Sequence, residues 1–391
     1  DPKAAAKDIR IQQAADTINA ATKPFIYFGG GLISSEAQEE LLALAEKIDA
    51  PMGCSMMGIS GVPTDHPRFL GMQGMHGRYA SSMAQKNADL IIGVGVRFSD
   101  RATGNVSKYA TGAKKIQMDA DLAEINKNVH VDIGLVGDMV TGLAKILGKL
   151  ESRLHPQWKT MVDGFRAEEE KIAEAAEAAS GETMTPKKIF DVINKLKDAD
   201  TVIATDVGQH QMWTAQYVEF EKPRKCVSSG GLGTMGYGLG AAIGAYMASG
   251  NKTVLITGDG SFGMNLNELA TAVTYHTPIV IVLMNNGVLG MVRQWQNLIY
   301  GKRFSQTTLD RAPDFVKLAE AFGAKGYYAE TIAQFKDVFA EALKQSGPVW
   351  IECAIDKDER VLPMIPAGKT VNDIMMGDCA TCPMDCENKK K

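Results

Sequence analysis

Gly258-Asp259-Gly260-Ser261 and, beyond residues 262–284, Asn285-Asn286 are the residues whose types and spacing carry the clearest chemistry. Residues 253–257 form a short, apolar, β-branched run that ends in a glycine-flanked carboxylate, the pattern of a buried parallel strand. Residues 267–275 fit a crossover helix, and 278–284 a second buried strand. A βαβ unit of this size puts Asp259 and Asn286 at the same carboxyl edge of a sheet. A carboxylate, a carboxamide and a main-chain carbonyl two residues on, at Val288, are the hard oxygen donors that Mg²⁺ takes. Gly258 and Gly260 leave room for phosphates beside the backbone, and the helix that follows offers free N–H groups to negative charge. The predicted chemistry is a diphosphate held through a divalent metal. Either half alone reads as an ordinary strand exit or an Asn-Gly loop; the two halves at this spacing carry the assignment.

The elements that must position these residues alternate between apolar strand and amphipathic helix. Residues 24–28 run into Gly29-Gly30-Gly31, and 36–48 have apolar residues at helical spacing; strand-like runs recur at 88–96 and 115–118. The pattern predicts an α/β fold with two doubly wound parallel-sheet domains. The expected divisions are a first domain over 1–160, a charged, Ala-rich linker helix over 161–184 with its exposed part at 165–179, a second domain over 185–368 and a tail over 369–391. Thr185-Pro186 is a helix start signal, an N-cap residue followed by proline at the first helical position, for a helix through Leu196. Residues 201–205 are a strand ending in Asp206-Val207-Gly208-Gln209-His210. Residues 229–242 hold glycines at helix-like spacing, a candidate wall for close approach to a ligand. No repeat of fixed solenoid period is present.

A chain of 391 residues with 45% hydrophobic content can bury two cores. A net charge of −4 without a basic field argues against nucleic acid as a partner. No apolar run approaches membrane-spanning length and no signal-peptide pattern opens the chain, so the expectation is a soluble, cytoplasmic protein. Cys54, Cys226 and Cys353 lie in or beside apolar stretches and read as reduced thiols. Cys379, Cys382 and Cys386 have suggestive metal-ligand spacing but no fourth ligand nearby, in a stretch with the composition of a frayed tail.

With Met72-Gln73-Gly74-Met75-His76-Gly77, Val96-Arg97-Phe98-Ser99-Asp100-Arg101, Gly233-Thr234-Met235-Gly236-Tyr237-Gly238 and the run from Asn285 to Gln296, which contains Gly290-Met291-Val292-Arg293-Gln294-Trp295, the chain resembles the catalytic large subunits of acetolactate synthases. These are thiamine diphosphate enzymes of valine, leucine and isoleucine biosynthesis. The resemblance extends over 24–368 and implies that the first domain is the family's middle, FAD-holding domain and the second its diphosphate-binding domain. It further implies that an amino-terminal pyrimidine-binding domain, which carries the glutamate that activates the cofactor, is absent from this chain. That domain must then come from a missing segment or another chain, and the chain alone is expected to be inactive.

The implied reaction decarboxylates pyruvate on thiamine diphosphate and condenses the hydroxyethyl carbanion with a second 2-keto acid, pyruvate or 2-ketobutyrate. The resemblance assigns Mg²⁺ to Asp259, Asn286 and Val288, and diphosphate contacts to Val207, Gly208, Gln209, His210, Gly260 and Ser261, with Gly233 as a further cofactor-binding residue. Met235 matches the residue that packs against the cofactor. Met291, Val292 and Trp295 match the substrate pocket, and Arg101 matches the arginine that meets the keto acid's carboxylate. FAD is assigned to Gly29, Gly30, Gly31, Met57, Gly58, Met75, His76, Gly77, Arg97, Asp119 and Asp138. Gly240 and Ser99 depart from the family's proline and aspartate, and 363–368 resembles its carboxyl-terminal segment over the active site. The implied assembly is a homodimer or tetramer, with a regulatory small subunit as a further partner. Other readings are a pyruvate oxidase, a 2-keto-acid decarboxylase or a non-catalytic cofactor-binding module.

Overall fold

The apolar runs condense into two parallel sheets, each covered by helices. The computed structural model describes residues 8–309 and 313–377; Cys379, Cys382 and Cys386 lie outside the described residues. The chain divides into two compact units, one formed by the residues before 180 together with those from 362 on, the other by residues 180–361.

In the first unit, strands β1 (Pro24–Phe28), β2 (Met52–Cys54), β3 (Phe69–Met72), β4 (Leu90–Val94), β5 (Lys114–Asp119) and β6 (Ile133–Val136) pair in parallel in the order β3-β2-β1-β4-β5-β6. The chain moves outward through β2 and β3, then returns to β4 on the other side of β1. The sheet therefore reverses direction between β1 and β4, where strand exits diverge and leave a crevice. Here the triple glycine has an internal cause. A Cβ on Gly31 would lie 2.6 Å from the Gly95 Cα, and one on Gly29 would lie 2.5 Å from the Gly95 carbonyl oxygen. The exits of β1 and β4 pass at backbone contact, which no side chain permits.

Helix Pro156–Ser180 opens before the expected linker and is packed over its first half. Trp158 and Val162 join Phe25, Tyr27 and Ile91 in the core, and the Trp158 indole N–H donates to the Pro24 carbonyl at 3.0 Å. Glu169 is buried in the stretch read from sequence as exposed. Its carboxylate accepts from Arg78 Nε at 2.8 Å and from the Tyr79 N–H at 2.9 Å. The Ala-rich remainder is largely exposed.

In the second unit, β7 (Val202–Thr205), β8 (Cys226–Ser228), β9 (Thr253–Gly258), β10 (Ile279–Asn285), β11 (Lys325–Ala329) and β12 (Val349–Ala354) pair in parallel in the order β11-β12-β10-β9-β7-β8. Every residue of β9, and of β10 up to Met284, is buried, as the continuous apolar runs of a doubly covered parallel sheet require. Leu255, Ile281, Leu283, Phe262 and Trp350 form the centre of this core, with the Phe262 and Trp350 rings edge to face at 4.4 Å. Thr185 caps helix Pro186–Leu196 by accepting the Lys188 N–H, with Pro186 in the first turn as predicted. The glycine-rich stretch is helical only over Gly238–Ser249. Before it, Gly233 and Gly236 take left-handed backbone angles of φ 66° and 88°, and the chain turns.

Strands β2, β3, β6, β8, β11 and β12 are absent from the runs anticipated in the sequence. The first four have three or four residues each, and β11 is a partly exposed edge strand. In β12 the apolar run is broken by Glu352, whose carboxylate accepts from Asn285 Nδ2 at 2.7 Å. Cys54 and Cys353 are buried and Cys226 is half-buried, and burial pushes the Cys226 thiol up to about 12. Among the described residues no helix is long and apolar enough to cross a membrane.

Candidate cofactor site

From β7 the chain goes outward to β8 and then crosses back to β9 on the other side, so β7 and β9 flank the reversal point of the second sheet. Ligands of open parallel sheets bind outside the carboxyl ends at such a point. The register pairs Thr205 with Ile256 and Gly258 with Met284. Asp206, Asp259 and Asn286 consequently emerge from three adjacent strand tips, β7, β9 and β10. The two residues predicted to share a cation stand at neighbouring tips on one edge.

Asp259 begins the helical turn Asp259–Phe262 and is 6% exposed. The Asn286 side-chain oxygen accepts the Val288 N–H at 3.2 Å, and its nitrogen donates to Gln209 Oε1 at 3.2 Å. Val288 bridges Thr308 in antiparallel fashion. The hydrogen bonds of that bridge run from Leu289 N–H to the Thr307 carbonyl and from Leu309 N–H to the Gly287 carbonyl, so it does not consume the Val288 carbonyl. Among the described residues no three His, Cys, Asp or Glu side chains gather as a metal cluster. A cation shared by Asp259 and Asn286 would draw on a carboxylate with amide and main-chain oxygens, a donor set that suits Mg²⁺ and not a soft metal.

His210, in the first turn of helix Gln209–Tyr217, is 5% exposed, and its Nε2 is buried with no hydrogen-bond partner among the described residues. Buried polar atoms are almost always satisfied, so this nitrogen is one that a polar ligand would complete. A Cβ on Gly258 would fall 2.9 Å from the other ring nitrogen, which is why glycine stands there. Burial pushes the His210 pKa down to about 4, against the opposing charge and main-chain hydrogen bond of Asp206, and keeps the ring neutral at pH 7. Ser261 Oγ lies 3.4 Å from the Val207 N–H. Met235 reaches over Gly260, with its Cε 3.9 Å from where a Cβ would sit.

Helix Gly290–Leu298 leaves β10 and carries Met291 and Trp295, both half-buried, and Val292, which is exposed. Arg293 ties this helix to two neighbouring segments: its guanidinium bonds Asp358 at 2.8 and 2.9 Å and lies 4.2 Å over the Phe304 ring. The edge of the second sheet thus gathers Val207, Gly208, Gln209, His210, Asp259, Gly260, Ser261, Asn286 and Val288. Gly233 and Met235 lie on the adjoining turn and the 291–295 residues on the helix that follows.

Two positions at this edge escaped the sequence reading. Asp206 is 1% exposed; its Oδ1 accepts the N–H groups of Val207 and Gly236, both at 2.9 Å, and Oδ2 accepts from the Thr257 hydroxyl at 3.4 Å, stitching three segments together. Gln294 is 3% exposed and bonds Val361 and Gln209. A polar residue at a buried strand tip was a readable signal for Asp206. Gln294 had no such signal, because its partners are distant in sequence.

In the first unit the FAD candidates all follow the carboxyl ends of the six strands: Gly29 to Gly31 after β1, Met57 and Gly58 after β2, Met75 to Gly77 after β3, Arg97 after β4, Asp119 closing β5 and Asp138 after β6. Asp138 accepts the Thr141 N–H and caps helix Met139–Leu147. Burial first, and then nearby acids, raise the pKa of Asp119. Arg101 is exposed and paired with Asp100 at 3.0 Å; its carbonyl accepts the Met75 N–H at 2.7 Å. Arg101, Met75, Tyr109 and Ile365 line one open cleft.

Residues 11–146 match the thiamine pyrophosphate enzyme central domain, and 206–353 match the thiamine pyrophosphate enzyme C-terminal TPP binding domain. The chain is 39% identical over 378 residues to the acetolactate synthase isozyme 3 large subunit of Escherichia coli (strain K12), an alignment that takes in 94% of this chain and 65% of that protein. It is 41% identical over 380 residues to a probable acetolactate synthase large subunit of Methanocaldococcus jannaschii, with 96% of this chain and 64% of the relative aligned. With an acetolactate synthase of Mycobacterium bovis the identity is 40% over 377 residues, 93% of this chain and 60% of the relative. The chain thus spans slightly less than two thirds of the length of these curated relatives. On the two matched domains and the parallel sheets that carry them, the chain belongs to the thiamine pyrophosphate enzyme family.

Proposed function

We propose that this chain is the cofactor-holding part of an acetolactate synthase large subunit, which joins pyruvate to a second 2-keto acid. The observation that carries the reading is the emergence of Asp259 and Asn286 from adjacent strand tips, with the Val288 carbonyl left unused by its bridge. These three oxygens hold Mg²⁺. Val207, Gly208, Gln209, His210, Gly260 and Ser261 receive the diphosphate, with the buried His210 Nε2 as the polar atom awaiting a partner; Gly233 gives the turn beside them its left-handed backbone. Thiamine diphosphate, when bound, supplies the electron sink for decarboxylation. Met235 supports the cofactor's body from across Gly260. Met291, Val292 and Trp295 exclude water and shape the pocket for the acceptor keto acid, and Arg101 pairs with a keto acid carboxylate. FAD is held along the carboxyl edge of the first sheet by the residues that follow its six strands, as a structural group.

The relatives' greater length supports the further proposal that a pyrimidine-binding domain, in a missing segment or another chain, completes the site. Leu232, Met247, Met264 and Tyr275 of the second unit, all well exposed and apolar, support assembly as a homodimer or tetramer. The relatives' designation as large subunits supports a regulatory small partner as well. A cytoplasmic location fits this reading. The test is to supply the remaining amino-terminal portion of a relative in trans with pyruvate, thiamine diphosphate, Mg²⁺ and FAD. Acetolactate is the expected product. Peroxide would indicate an oxidase, free aldehyde a decarboxylase, and no product from an assembled complex a non-catalytic module.

A further inference from the structure

A carboxamide has two faces, and only its oxygen can ligate Mg²⁺. If Asn286 is a ligand, something must hold its oxygen on the cation's side. The side-chain nitrogen of Asn286 donates to Gln209 Oε1 at 3.2 Å. Gln209 Nε2 in turn donates to the Glu359 carbonyl at 2.8 Å and to Gln294 Oε1 at 3.1 Å. Gln294 closes the chain on one residue: its Oε1 accepts the Val361 N–H at 2.9 Å, and its Nε2 donates to the Val361 carbonyl at 3.0 Å. Gln209 and Gln294 are 4% and 3% exposed, so water does not substitute for these partners.

The direction of the whole chain follows from its ends. A main-chain N–H only donates and a main-chain carbonyl only accepts. Val361 therefore fixes which end of Gln294 is oxygen, the Glu359 carbonyl fixes the nitrogen of Gln209, and the Val288 N–H fixes the oxygen of Asn286. Reversing any one amide would set donor against donor. Both donor hydrogens of the Gln209 side chain are engaged in this relay, so its proposed contact to the diphosphate is through the main-chain N–H in the first turn of helix Gln209–Tyr217, which Gln209→Met retains.

Gly290 supplies an independent sign that the route is built. Its φ needs no glycine, yet a Cβ there would run into Gln209 Oε1 and come within 2.9 Å of Asn286 Nδ2. The Gln209–Asn286 hydrogen bond occupies the space a side chain would fill.

We propose that Gln209 and Gln294 are positioning residues: a carboxamide relay anchored on Val361 holds the Asn286 oxygen toward the metal. The inference rests on Asn286 being a metal ligand, as proposed above. Residues that orient metal ligands through hydrogen bonds set metal affinity without touching the ion.

The test titrates thiamine diphosphate into the 391-residue chain by calorimetry at graded Mg²⁺ and reads the half-saturating Mg²⁺ concentration. Gln209→Met should raise it about tenfold or more, and Gln294→Met by several-fold, as expected for loss of an outer-shell partner. Gly290→Ala should act in the same direction. An orienting role then makes a specific demand. The carboxylate of Asn286→Asp presents oxygen whichever way it faces, so adding Gln209→Met or Gln294→Met to Asn286→Asp should leave the half-saturating concentration within about twofold. A general loosening of the site would carry the full loss into that background and would overturn the relay, as would unchanged Mg²⁺ dependence in the single variants. If Gln209→Met fails to melt cooperatively, Gln294→Met carries both comparisons. Mg²⁺-independent binding by the unaltered chain would instead overturn the metal assignment itself, which separates the two failures.

Discussion

At the scale of single residues, the site depends on a small number of groups in unusual surroundings. Asp259 is the only carboxylate of the proposed ligand set, and neither an amide nor a carbonyl supplies its formal charge. Asp259→Ala should abolish Mg²⁺-dependent binding of thiamine diphosphate, read as loss of the Mg²⁺-sensitive heat in calorimetry; unchanged affinity would remove Asp259 from the site. His210 makes a prediction about pH. Its folded-state pKa lies near 4, below the ordinary 6.5. Above pH 6.5 the ring is neutral in both folded and unfolded chains and contributes no pH dependence. Between 6.5 and 4 the unfolded chain takes up a proton that the folded chain refuses, so stability falls as pH is lowered. The urea midpoints of the chain and of His210→Gln should therefore run parallel above pH 6.5. Below it the unaltered chain should fall away faster, by on the order of 2–3 kcal/mol over the full window. Parallel curves down to pH 4.5 would show that the ring is not held neutral by burial.

At the scale of elements, glycine placement answers to backbone crossings as much as to ligands. Gly31 lies against the Gly95 backbone where β1 and β4 diverge. Backbone cannot rotate aside as a side chain can. Gly31→Ala should therefore destabilise the first unit by about 1–3 kcal/mol, the range for overpacking a closed interior. Two-step melting, in which only the first unit's transition moves, is the expected record; an unaltered transition would mean that β1 and β4 relax apart without cost. Helix Pro156–Ser180 teaches the complementary lesson. Its Ala- and Glu-rich composition reads as a solvated linker, yet Glu169 is buried because the Arg78 guanidinium and the Tyr79 N–H satisfy its carboxylate. Composition reports average exposure, and one paired acid departs from the average.

At the scale of the whole molecule, two parallel sheets each reverse direction once, and the residues singled out by sequence collect at the two carboxyl edges. Trp295, on the helix leaving β10, is half-buried with Val292 exposed beside it, so this face has apolar surface to offer to a substrate or a neighbouring domain. On the function proposed above, Trp295→Leu in the completed enzyme should weaken a preference for 2-ketobutyrate over pyruvate as acceptor. A smaller side chain removes apolar contact worth about 1–3 kcal/mol, enough to change the product ratio at least severalfold. An unaltered ratio in competition assays would show that Trp295 only fills the core.

Local sequence determined the α/β character, the strands at 24–28, 253–258 and 279–285, the capped start at Thr185-Pro186 and the placing of Asp259 and Asn286 at one sheet edge. Each of these follows from short-range causes: a continuous apolar run, a capping hydroxyl, a glycine-flanked acid one crossover from an amide. Tertiary structure alone decided that β7 lies beside β9, that Gly29 and Gly31 answer to Gly95, and that Asp206 links the tips of β7 and β9 to the glycine-rich turn. It also decided that Gln209 and Gln294 find each other and Val361. Hydrophobic periodicity records whether a residue is buried. Which distant residue it is buried against depends on strand order, and strand order is fixed only when whole sheets pack.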